Sequence, residues 1–145
     1  MRKIAKIIFN QLKRGNKILI CGNGGSAAES NHFAAELVCK YSTERKAYPA
    51  ISLCANQSVL TAISNDYGYQ YVFARQIQAF GKIGDILVTM TTSGKSENII
   101  RAETVAKLAG LIVIRLPNIG TTTGKIQENH LKIIHKICQY IDDKT

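Results

Sequence analysis

A chain of 145 residues, 46% apolar and 20% charged, is long enough for one buried core and ordinary in composition for a globular domain. Its net charge of +9 raises nucleic acid as a partner, but the basic residues are spread over helix ends and polar faces without interleaved aromatics, which favours small anionic metabolites instead. No apolar run approaches the roughly 18 residues of a membrane span, and the basic start leads into an amphipathic helix rather than an apolar leader, so neither membrane nor secretion is expected and the cytoplasm is.

In chain order, Ile4, Ile7, Ile8 and Leu12 repeat at helical spacing and predict a helix over residues 2–14. Residues 17–21 form a short apolar strand, followed by Gly22-Asn23-Gly24-Gly25-Ser26 and a helix over 26–41. Residues 50–54 read as a second strand, 58–64 and 69–80 as helices, and 85–90 as a third strand. The loop Thr91-Thr92-Ser93-Gly94-Lys95-Ser96 leads into a helix over 96–109, then a fourth strand over 111–116. A closing helix over 123–142 carries Ile126, Ile133, Ile134 and Ile137 at helical spacing. Strands apolar on both faces that alternate with helices predict one α/β domain, a three-layer αβα sandwich around a central parallel sheet. The four cysteines, Cys21, Cys39, Cys54 and Cys138, form no C-x-x-C pair and read as buried reduced thiols.

In such sheets ligands bind beyond the carboxyl ends of the strands, where two loops stand out. Glycines in the first let the backbone approach a ligand, and Ser26 is placed to cap the next helix, whose free N–H groups attract an anion. Gly22, Gly24 and Ala27 also match a dinucleotide fingerprint, but the second strand ends in Cys54-Ala55-Asn56-Gln57 without the acid a ribose requires. The second loop is dense in hydroxyls and precedes a helix start, a cradle for phosphate. Gly94-Lys95-Ser96 resembles the tail of a P-loop, yet Thr89 stands where that motif needs glycine.

Two helices carry candidate chemistry. His32 and Glu36, four apart, share one face among small and apolar neighbours, a spacing suited to two metal ligands or a ligand and a base. Most such pairs are surface pairs, but an acid on a largely buried helix is costly without a use or a partner. On the closing helix, Gln127 and His135 are eight apart and face roughly the same way, separated by a rise of about 12 Å. Taken alone, His135 reads as a core or interface histidine.

Set in order, these pieces become a pattern: Gly22-Asn23-Gly24-Gly25-Ser26, His32-Phe33-Ala34-Ala35-Glu36-Leu37, Ser64-Asn65-Asp66-Tyr67-Gly68, Thr92-Ser93-Gly94-Lys95-Ser96, Ile126-Gln127-Glu128, and His130 through His135. The series resembles the phosphoheptose isomerases of the sugar isomerase (SIS) family. The resemblance implies an aldose–ketose isomerase that interconverts sedoheptulose 7-phosphate and glycero-manno-heptose 7-phosphate for bacterial surface glycans. It implies zinc held by His32, Glu36, Gln127 and His135, with Glu36 as the carbon base and His135 as its acid partner. Asn23, Gly24, Gly25, Ser26, Asn65, Asp66 and Gln127 would contact substrate, and Thr91, Thr92, Ser93 and Ser96 would hold its phosphate. It further implies a cytoplasmic homotetramer.

Two departures from the family pattern stand out. The family carries a further helix before the segment that starts at Met1. Around Ala109-Gly110-Leu111-Ile112 it has a strand, a glycine-rich loop, a helical turn and a second strand, where this chain keeps one strand; residues missing from that stretch are the expectation. A true deletion would remove a strand from the sheet and put the positions of Gln127 and His135 in question. Two other readings compete: a non-catalytic phosphosugar-binding relative that associates with the replication initiator, and an isomerase for a hexose or pentose phosphate. Retention of His32, Glu36, Gln127 and His135 favours an enzyme.

Overall fold

The computed structural model describes residues 2–145. Its strands are β1 (Ile18–Gly22), β2 (Ala50–Ser52), β3 (Ile86–Met90) and β4 (Ile112–Arg115), joined in one sheet of order β2-β1-β3-β4. All three pairings are parallel. The helices are α1 (Arg2–Lys13), α2 (Gly25–Val38), α3 (Gln57–Asp66), α4 (Val72–Phe80), α5 (Glu97–Leu108) and α6 (Thr123–Asp142), with a short 3-10 turn at Tyr69–Tyr71. The central strands β1 and β3 are buried along their whole length, as their unbroken apolar runs require.

Alternation along these strands divides the interior into two cores. Ile18, Ile20, Ile86, Val88 and Met90 face α1, α2 and α6 through residues such as Ile8, Phe33, Leu37, Ile134 and Ile137. Leu19, Cys21 and Leu87 face α4 and α5 through Phe73, Ile77, Ile99 and Ala102. This is the expected αβα sandwich. It places α2 beside α6 on one layer, which matters for the site.

Three details differ from the sequence reading. Helix α2 stops at Val38 rather than near residue 41, because the chain turns back there through Arg45. Strand β2 is only three residues long; the Leu53 amide still donates to the Ile20 carbonyl at 2.8 Å, and its side chain enters the second core. All four cysteines are free, but Cys39 is exposed and Cys54 only partly covered, so burial holds for Cys21 and Cys138 alone. At the stretch where residues were expected to be missing, α5 leads directly through Ala109, Gly110 and Leu111 into β4, which pairs with β3 from Ile86↔Ile112 to Thr89↔Arg115.

Candidate active site

Strands β1 and β3 are neighbours, with Gly22 in register with Met90, so the two loops singled out in the sequence lie side by side above the sheet. Gly22 has no room for a side chain: an added Cβ would lie 2.7 Å from the Ser26 carbonyl oxygen. The close approach folds the first loop over the start of α2. Between the loops is a cavity of about 300 Å³ lined by Asn23, Gly24, Gly25 and Ser26, by Thr91, Thr92 and Ser96, and by Thr123 and Gln127 from α6.

Three helices start at this cavity, and two of them lack side-chain caps. Neither α2 nor α5 has one, whereas Asn56 caps α3 and Thr122 caps α6. Ser26 is therefore not a cap: α2 begins one residue before it, and Gly24 holds the cap position. Uncapped N–H groups and two positive dipole ends converge on the cavity, which suits an anion. Within the second loop the hydroxyls divide their work. Thr91 Oγ1 accepts from the Gly94 amide at 3.1 Å and Ser93 Oγ from the Lys95 amide at 3.1 Å, so both shape the loop. Thr92 and Ser96 line the cavity, and Ser93 is not among its lining residues.

Asn23 is held from two sides. Its Oδ1 accepts from Asn98 Nδ2 at 2.8 Å and from the Tyr69 hydroxyl at 2.9 Å, while its Nδ2 donates to Asn98 Oδ1 at 3.0 Å. Sequence reasoning missed Asn98 and Tyr69. An asparagine two residues past the cap position of α5 was the available signal. Asn65 and Asp66 lie exposed at the end of α3, bonded to each other at 2.9 Å, and do not line the cavity.

From the cavity, α2 and α6 run in the same direction. Gly25 abuts the Gln127 amide, which occupies the space a Cβ would fill. One turn on, Glu29 and His130 approach at 3.8 Å. Farther on, His32 and Glu36, about 10 and about 16 Å along α2 from Gly25, meet His135. Because Cα–Cβ bonds tilt towards a helix N-terminus, these side chains lean back towards the cavity.

The contacts in this cluster are short. His32 Nε2 lies 2.9 Å from Glu36 Oε1 and 3.1 Å from His135 Nε2, and His135 Nε2 lies 3.5 Å from the same carboxylate oxygen. The Tyr41 ring packs on His135 with centroids 5.3 Å apart. Glu36 Oε2 is buried without a hydrogen-bond partner. Beneath it the fully buried Cys138 thiol is pushed up, first by burial and then by the Glu36 carboxylate. Two imidazole nitrogens and a carboxylate oxygen within 4.8 Å of one another, with an orphaned carboxylate oxygen, are a donor set that fits a divalent metal. At Glu29, burial pushes the carboxyl up to about 7, while burial pushes His130 down. Neither the Glu29–His130 pair nor the contact of Tyr41 with His135 was singled out from sequence.

A profile of the SIS domain family matches residues 1–117. A phosphoheptose isomerase of Campylobacter concisus is 44% identical, the alignment covering 95% of this chain and 82% of the relative. One from Aliarcobacter butzleri is 46% identical over 160 positions, covering 99% of this chain and 85% of the relative. That span exceeds the 145 residues here, so the relative carries residues that this chain lacks. The structure of phosphoheptose isomerase GmhA from Neisseria gonorrhoeae superposes with a TM-score of 0.89 at 38% identity, covering 97% of this chain and 84% of that one. A phosphoheptose isomerase from Francisella tularensis superposes with a TM-score of 0.90 at 34% identity, covering 98% and 84%.

Proposed function

Because the chain belongs to the SIS domain family, among its phosphoheptose isomerases, we propose that the cavity over β1 and β3 holds a sugar phosphate whose carbonyl end reaches the His32–Glu36–His135 cluster. The protein is an aldose–ketose isomerase that interconverts sedoheptulose 7-phosphate and D-glycero-D-manno-heptose 7-phosphate in heptose biosynthesis. The observation that carries the site assignment is the meeting of His32, Glu36 and His135 on two helices that both start at one anion-binding cavity.

The residues divide the reaction as follows. Thr92, Ser96 and the open N-termini of α2 and α5 bind the phosphate, a remote anchor that holds carbons 1 and 2 in place. Thr91 and Ser93 keep the phosphate loop in shape. Asn23, Gly24, Gly25, Ser26 and Gln127 bind sugar hydroxyls along the seam. Glu36 removes the proton from the carbon next to the carbonyl and returns it to the neighbouring carbon. His135 delivers a proton to the carbonyl oxygen and takes one from the adjacent hydroxyl, so the enediol collapses to either sugar. His32, Glu36 and His135, with Gln127 as a fourth donor, would hold a zinc ion, which when bound would supply polarisation of the carbonyl and stabilisation of the enediolate. Asn65 and Asp66 join the substrate site in this reading only across a subunit contact.

The reading extends to a cytoplasmic homotetramer serving lipopolysaccharide or capsule synthesis, and to a single SIS domain over residues 1–145. Ile83 and Leu108, each 84% exposed, support association. Among the described residues no helix is long and apolar enough to cross a membrane. The test is incubation of purified protein with sedoheptulose 7-phosphate, with and without a chelator, and detection of the aldose. Product that disappears with chelator and returns with zinc is expected. Binding of the sugar phosphate without product under any metal condition would replace this reading with that of a regulatory binding protein.

A further inference from the structure

Beyond the cluster, α2 and α6 are joined once more, by a buried ion pair. Arg45 lies in the loop after α2, and Asp142 is the last residue of α6. Arg45 Nε donates to Asp142 Oδ1 at 2.8 Å, and both side chains are 0% exposed. The other oxygen, Oδ2, accepts from the Ser42 amide at 2.8 Å, the Thr43 amide at 3.0 Å and the Ser42 hydroxyl at 3.1 Å. Burial alone would raise this carboxyl, but the Thr43 and Ser42 amides and the guanidinium bring it down to about 2.

The rest of the guanidinium reaches α2, with one further bond from Nη1 to the carbonyl of its neighbour Lys46 at 3.0 Å. Nη2 donates to the carbonyl of Glu36 at 2.6 Å, and Nη1 to the carbonyl of Leu37 at 3.0 Å. These belong to the last turn of the helix, whose carbonyls lack partners within it, and α2 has no basic residue of its own there. Arg45 thus grips the backbone of the residue whose carboxylate meets His135, while holding the end of the helix that carries His135.

Fully buried ion pairs contribute little net stability compared with apolar residues of similar volume, and their best-attested use is to fix register. We infer that Arg45 and Asp142 are positioning residues for the isomerisation: they lock the ends of α2 and α6 so that Glu36 and His135 are held at reacting distance. Neither touches the substrate. The inference rests on the roles proposed above for Glu36 and His135. It extends the machinery to a loop and a chain end outside the motifs of the family pattern.

The experiment compares wild type, Arg45→Lys, Asp142→Asn and the double variant Arg45→Met/Asp142→Leu in three measurements: thermal unfolding, kcat and KM for sedoheptulose 7-phosphate, and zinc affinity by competition with a chromophoric chelator. The apolar double variant is expected to melt near wild type, yet to lose about 10- to 100-fold in kcat and in zinc affinity with KM little changed, the range seen when outer-shell support of a metal site is removed. Arg45→Lys keeps the charge but lacks the fork that reaches both carbonyls and Asp142; it should lose about tenfold in kcat. If the double variant does not fold, the two single variants, measured below their melting temperatures, carry the same comparison. Variants that melt lower but keep wild-type zinc affinity and kcat overturn the inference, leaving a purely structural pair. Wild-type protein that neither converts the sugar nor binds zinc overturns the function on which it rests, and the inference with it.

Discussion

The cavity above β1 and β3 and the seam between α2 and α6 are built by opposite means. The cavity is mostly local: two strand-to-helix loops supply most of its lining, with Thr123 and Gln127 added from α6, and it offers backbone N–H groups, small residues and hydroxyls. The seam is assembled from side chains 103 positions apart in the chain, His32 and His135, that meet only because two helices dock in one register. A binding surface made of backbone tolerates the loss of a side chain. A cluster made by docking depends on every group that holds the docking.

That contrast sets the expected scale of damage. The largest effect belongs to the seam: Glu36→Gln keeps the shape of the carboxylate but cannot take a proton. It should lower kcat by about 10³-fold, within the range of general-base removal. Phosphosugar binding, followed by calorimetry, should persist. Wild-type turnover in this variant would remove Glu36 as the base. A smaller effect belongs to the cavity. Ser96→Ala deletes one donor to the phosphate while the helix N–H groups remain, so KM should rise about tenfold, the loss of one charge-assisted hydrogen bond. Steady-state kinetics should show kcat nearly unchanged; a fall in kcat with KM constant would put Ser96 in the chemistry instead of the anchor.

The smallest effect tests the seam between the two regions. Glu29 has its carboxyl raised by burial to about 7. Its contribution to stability is therefore fully present below the ordinary carboxylate range and is lost as pH rises through about 7. Glu29→Gln should remove a pH-dependent component on the order of 1 kcal/mol. Urea unfolding of both proteins from pH 4 to 8 measures it as the difference between two profiles, which reports Glu29 together with its effect on the neighbouring His130. Parallel profiles would mean that Glu29 is solvated in the folded protein.

Much of this architecture was legible in the residues. Every helix and strand was placed to within a few positions, because β1 and β3 are continuous apolar runs and the helices keep clean apolar stripes. Both loops were visible as glycine and hydroxyl clusters at strand ends, and His32 and Glu36 by their spacing. Arg45 and Asp142 were not: a lone arginine in a loop and an aspartate near the chain end look like surface charges until packing buries them together. Glu29, and its pairing with His130, were hidden in the same way. The role of Ser26 as a cap was misread because the helix starts one residue earlier.

The sequence by itself determined the layering of the fold, the order of its elements and the two loops of the anion cavity, since each follows from periodicity and local backbone chemistry within a few residues. Only the tertiary structure decided that His135 stands against Glu36, that Asn98 and Tyr69 hold Asn23, and that a buried ion pair ties the far ends of α2 and α6. Those contacts join distant segments, and no local pattern records them, because what selects them is the packing of whole helices across the sheet.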